Sequence, residues 1–158
     1  MSLDSFYAIL SGICFALTGL WWTVVEARKD WLKDKEMRNL AGGVYASFLI
    51  PGVMSLGAQI GGDNKLVWRS VFVIAALLGM FFTTKLLARI WKSHKAGFFA
   101  RSRWLVTLLY GVVLVLGLFP TLAAPTGLTT IQVEAFLLCI IILSGHGLAW
   151  EMMTHAPE

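Results

Sequence analysis

Charged residues are scarce in this chain, and no polar stretch is long enough to fold on its own. Asp, Glu, Lys and Arg make up 14% of its 158 residues. The two segments that concentrate them run from about Glu26 to Asn39 and from about Trp91 to Arg103. Neither leaves room for a nucleotide-binding fold or a soluble catalytic domain. No phosphate-cradling glycine loop, HExxH, GxSxG or paired CxxC occurs, so any chemistry would have to come from isolated side chains in or beside the apolar segments. No two catalytic-type side chains share a depth with confidence in helical projection, and an enzyme is therefore not expected.

Metal and redox ligands are equally sparse. Cys14 and Cys139 fall near the middle of two apolar runs with no ligand cluster around either, which reads as a pair of buried apolar thiols. Of the three histidines only His146 lies inside an apolar run; His94 and His155 lie outside them. One protomer cannot supply a haem with two histidines at matched depth, although two copies of His146 in an oligomer could. No metal and no cofactor is expected. The first apolar run has no Lys or Arg ahead of it, lacks a small-residue cleavage pattern and is followed at once by charges, which suits a retained helix rather than a signal peptide.

What fills the chain instead is apolar sequence: 58% of residues are hydrophobic, and mean hydropathy is +0.74. Five runs, Phe6 to Val25, Leu40 to Ile60, Val67 to Ile90, Leu105 to Ala124 and Ile131 to Trp150, each approach the roughly 20 residues a helix needs to cross about 30 Å of hydrocarbon. The expected fold is all-α: one bundle of five transmembrane helices spanning residues 1–158 in a plasma or inner membrane. The connection from Pro120 to Thr130 is barely more polar than its neighbours and reads as a short outer loop or a re-entrant turn.

Basic residues set the expected orientation. Eleven of the thirteen lie between the first and second runs or in the loop after the third with its flanking turns, leaving only Lys65 and Arg69 for the other side. That places the N-terminus outside and the C-terminus in the cytoplasm. Trp21, Trp22, Trp91, Trp104 and Trp150 then mark the inner boundary and Trp68 the outer one. Lys85, Arg89 and Lys92 recur at i, i+4 and i+7 and continue into Lys95, Arg101 and Arg103, a basic stripe suited to anionic lipid head groups of the inner leaflet. It lacks a folded nucleic-acid module, so no nucleic-acid partner is expected. Between Glu26 and Arg38 acids and bases alternate, as in a short solvated helical extension.

Ionisable and polar residues within the spans are the candidate functional positions, because a charge at the centre of a membrane helix costs about 2.5 to 3.5 kcal/mol. Glu134 sits one turn inside the fifth run, and either lines an outer vestibule or is solvated near a helix N-terminus. His146 lies in Ser144-Gly145-His146-Gly147, and either faces a pathway or packs against a neighbouring helix. Twelve residues apart at 100° per residue, the two lie about 120° from one another around the helix, so spacing gives no single proton-relay face. Gln59 adds a third polar candidate toward the outer side.

Packing signals are clearest in the first two runs. Ala8, Gly12, Ala16 and Gly19 form a smooth stripe that admits another backbone, within the protomer or between protomers. Pro51-Gly52 should kink or hinge the second helix near mid-membrane. Two function classes follow: a homo-oligomeric ion channel or small-solute transport protein using Glu134, His146 and Gln59, or a non-catalytic accessory subunit that packs on a larger membrane complex through the Ala8/Gly12/Ala16/Gly19 face.

Overall fold

A computed structural model describes residues 2–62, 64–90, 98 and 102–154. Among these, helix is the only regular secondary structure. The elements are α1 (Leu3–Ala27), a 3-10 turn (Lys29–Leu32), α2 (Lys35–Gly61), α3 (Lys65–Ile90), α4 (Arg103–Leu118), a 3-10 stretch (Pro120–Thr126) and α5 (Thr130–Thr154). Four helices are long and apolar enough to cross a membrane, and a fifth span is completed if α4 and the 3-10 stretch are taken together. The two halves of that pair meet at 106°. At 16 residues α4 is about 24 Å long, short of the hydrocarbon thickness.

Local signals explain the boundaries. Ser2 caps α1 by accepting from the Ser5 amide, and Asp34 caps α2 by accepting from the amides of Glu36 and Met37. α2 ends at Gly62, whose φ of +47° suits a residue without a Cβ, and the chain turns straight into α3. That turn is tight: a Cβ on Gly61 would lie 2.9 Å from the Trp68 amide nitrogen. Arg69 holds the far end of α4, donating to the carbonyls of Gly117 and Leu118. A cation on the last carbonyls of a helix is favourable.

α2 is the central helix, packing against α1, α3 and α5, while α4 packs against α3 and α5. Polar side chains tie the elements together. Trp21 Nε1 donates to the Ala41 carbonyl, Gln59 Nε2 donates to the Tyr7 carbonyl and to Ser11 Oγ, and Tyr7 Oη donates to the Ile131 carbonyl. Thr107 Oγ1 donates to Thr83 Oγ1 at 2.9 Å between α4 and α3. The α1–α2, α3–α4 and α5 C-terminal ends gather on one side, termed the basic end because eleven of the thirteen Lys and Arg flank it in sequence.

Several sequence expectations change here. The Ala8/Gly12/Ala16/Gly19 stripe does not pack within the protomer: all four residues are exposed, and a Cβ on Gly12 or Gly19 would meet nothing within 4 Å. α1 buries the opposite stripe, Tyr7, Leu10, Cys14, Thr18, Trp21 and Val25, because the aromatic rings bury more area than glycine can. Pro51 and Gly52, where a kink or hinge is expected, lie inside α2 without ending it; both are buried, and a Cβ on Gly52 would lie 3.0 Å from Cys14 Cβ. The two form a close contact with α1. Trp68 packs in the interior against Phe72, and Trp21 lies inside the bundle, whereas Trp22, Trp104 and Trp150 stay exposed near the basic end. Between α1 and α2 the chain is not merely solvated: Trp31 is buried beside Trp21 and under Arg28.

Candidate functional site

The three polar positions singled out in the spans do not come together. Gln59 is consumed by the α1–α2 contact. His146 is exposed, its Nδ1 bonded to the Ile142 carbonyl of its own helix at 3.0 Å and its ring edge-on to Phe48, so it does not bond to a neighbouring helix. Glu134 is 0% exposed, and neither carboxylate oxygen has a hydrogen-bond partner. The expectation of a solvated carboxylate fails because α5 turns this face inward beneath α1. The Tyr7 hydroxyl passes Glu134 by and bonds to the Ile131 carbonyl, while Arg69 lies within electrostatic reach but donates to α4.

The chemistry gathers at the other end of the bundle, around a residue first placed on the lipid-facing stripe. Arg103 is 2% exposed. It is the first residue of α4, and that position swings its side chain between α2 and α3 instead of out toward lipid. Its Nη2 donates to the Gly43 carbonyl and to Ser47 Oγ, each at 3.2 Å. Glycine at 43 makes room for Leu86, since a Cβ there would lie 2.6 Å from a Leu86 methyl, while Nη2 at 3.5 Å would be in ordinary contact. Nε and Nη1 find no acceptor among the described residues.

Those atoms belong to a residue that lines a cavity of about 560 Å³ between α2 and α3, closed at the back by α4. Two further cations, Arg38 and Lys85, line it, and among the described residues no carboxylate does. Tyr110, two turns along α4, also lines it; it is 1% exposed and its hydroxyl is unpartnered. Glycine makes room again, since a Cβ on Gly79 would lie 2.7 Å from three atoms of the Tyr110 ring. Tyr45, Leu49, Ile50, Phe81 and Phe82 form the apolar wall, with Phe81 and Phe82 about half exposed on the outer face of α3 and the Lys85 ammonium 4.1 Å over the Phe81 ring.

Unpartnered buried donors are uncommon because each costs about 1 to 3 kcal/mol. Two such side chains lining one cavity, with three cations and no carboxylate among the described lining residues, form a setting for an anion. The volume falls in the range that takes a small organic molecule. Of the other expected lipid contacts, Lys85 is exposed at the cavity rim. The Arg89 side chain, Lys92, Lys95 and Arg101 lie outside the described residues, as do Trp91, His94 and His155.

Sequence spacing could not find this site. Arg103 reads in sequence as one more boundary cation, and Tyr110 carries no signal at all; only the packing of Gly79 against the Tyr110 ring shows what that glycine is for. No family model matches this chain, and neither a curated protein nor a solved structure matches it.

Proposed function

We propose that this chain is a small-solute transport protein of the membrane, and that the cavity at its basic end selects an anionic solute. One observation carries the proposal: among the described residues Arg38, Lys85 and Arg103 line a single cavity with no carboxylate, and Arg103 keeps buried N–H groups unpartnered. In a low-dielectric setting an uncompensated guanidinium strongly favours an anion beside it. Binding in the cavity is the first step of such transport, and uptake separates transport from binding alone.

An oligomeric pore lined by Gln59 and Glu134 has less support, because Gln59 is bonded to α1 and Glu134 is buried inside the protomer. The test is uptake of chloride, inorganic phosphate and an organic anion by proteoliposomes, comparing the native chain with Arg103→Met. Saturable uptake lost in the variant supports anion transport; uptake indifferent to Arg103 refutes it.

The accessory-subunit reading keeps one specific support, the outward Ala8/Gly12/Ala16/Gly19 stripe on α1. Close helix approach over such a stripe is a familiar mode of membrane association. Its test is what co-purifies with the native chain but not with Gly12→Leu.

A further inference from the structure

We propose that the occupant of the basic-end cavity is a phospholipid with an anionic phosphate head group, drawn from the surrounding bilayer. This rests on the cavity being an anion site and adds which anion. Three observations select it. First, the donors outnumber what a carboxylate can use. Arg103 leaves the N–H groups of Nε and Nη1 free, Tyr110 leaves its hydroxyl free, and Lys85 and Arg38 add two more cationic side chains. A phosphate presents three or more acceptor oxygens to such a set, where a carboxylate presents two.

Second, the free donors are deep. Arg103 and Tyr110 are 2% and 1% exposed, so the head group must enter the bundle rather than rest on its surface. Third, the walls lead outward to lipid. Phe81 and Phe82 are 52% and 51% exposed, and both also line the cavity. An acyl chain leaving the phosphate along these rings would stay in apolar surroundings throughout, whereas a free inorganic anion would leave that wall bare. Basic pockets between transmembrane helices are known settings for anionic head groups. Lys85, over the Phe81 ring at 4.1 Å, stands where head group and tail would meet.

The experiment is native mass spectrometry and thermal unfolding of the whole purified chain in a neutral detergent. It is titrated separately with dihexanoyl phosphatidic acid, dihexanoyl phosphatidylcholine, sn-glycerol 3-phosphate and inorganic phosphate. The expected result is one phosphatidic acid per chain with a raised melting temperature. Its affinity should fall about tenfold or more in Arg103→Met, equivalent to losing a charge-assisted contact of about 1.4 kcal/mol.

Because Arg103→Met could fail to fold, Tyr110→Phe serves as a second variant that keeps the ring against Gly79 and removes only the hydroxyl. It should weaken phosphatidic acid severalfold. Lys65→Gln, at the far end of the bundle, should leave binding unchanged. If inorganic phosphate or glycerol phosphate bound as tightly, with the same dependence on Arg103, the phospholipid assignment would be overturned while the anion cavity stood. If phosphatidylcholine bound equally well, or no anion bound in an Arg103-dependent way, the cavity's anion selectivity would fall with it.

Discussion

Arg103 Nη2 donates to Ser47 Oγ at 3.2 Å across a separation of 56 residues, while Ser47 Oγ donates in turn to the Gly43 carbonyl at 2.8 Å. One guanidinium nitrogen is thus fastened to α2, and Nε and Nη1 are left without a partner among the described residues. Ser47→Ala should remove one acceptor, keep the packing against Gly145, and leave the Gly43 carbonyl still in place. The expected cost is about 1 kcal/mol, read as a lower melting temperature in detergent. An unchanged melting temperature would mean that the fastening contributes nothing.

Gly79 and Tyr110 test the other cavity wall. A methyl group at residue 79 would meet the Tyr110 ring at 2.7 Å, so Gly79→Ala should destabilise the bundle by about 1 to 3 kcal/mol through overpacking. The double variant Gly79→Ala/Tyr110→Leu should recover part of that loss, with an interaction energy above about 0.5 kcal/mol in a double-mutant cycle of unfolding. Additive losses would show that the ring and the glycine are not packed as described.

Glu134 is a buried carboxylate with both oxygens unpartnered. An apolar side chain of similar volume avoids the cost of an unsatisfied polar group, so Glu134→Met should stabilise the fold by about 1 to 3 kcal/mol. Thermal unfolding checks this directly. A fall in melting temperature would mean that the carboxylate has a partner that stabilises the bundle. If Glu134→Met melts higher but transports less, the carboxylate is retained for activity at a cost in stability.

The membrane class was legible in the sequence because it rests on hydropathy summed over whole runs, and single residues hardly alter such sums. Helix faces were not legible. The Gly12 stripe and the Trp21 stripe of α1 are both regular, and only the neighbouring helices decide which one turns inward. Depth was misjudged where an end residue is drawn inward: Glu134 and Arg103 each lie within a turn of a helix terminus, where sequence reasoning grants access to the interface, and tertiary packing withdraws it. The cavity itself depends on residues contributed by α2, α3 and α4. No local pattern encodes that convergence.

The outward stripe of α1 gives a prediction that separates folding from association. Gly12→Leu and Gly19→Leu meet open space, so the melting temperature of the isolated chain should stay within about 0.5 kcal/mol equivalent of native. If copies or partners pack over this face, the mass of the detergent-solubilised assembly should fall in both variants. A mass unchanged by either variant would remove the stripe as an association surface.

The central claim is an anion-selecting transport cavity built on Arg103, and anion uptake by proteoliposomes is its most direct measurement. Chloride, inorganic phosphate and dihexanoyl phosphatidic acid would be followed into vesicles holding the native chain, Arg103→Met or Lys65→Gln. Native and Lys65→Gln vesicles should take up at least one of these anions saturably above empty vesicles, with the rate falling about tenfold or more in folded Arg103→Met. Uptake no greater than in empty vesicles, or the same with and without Arg103, would contradict it.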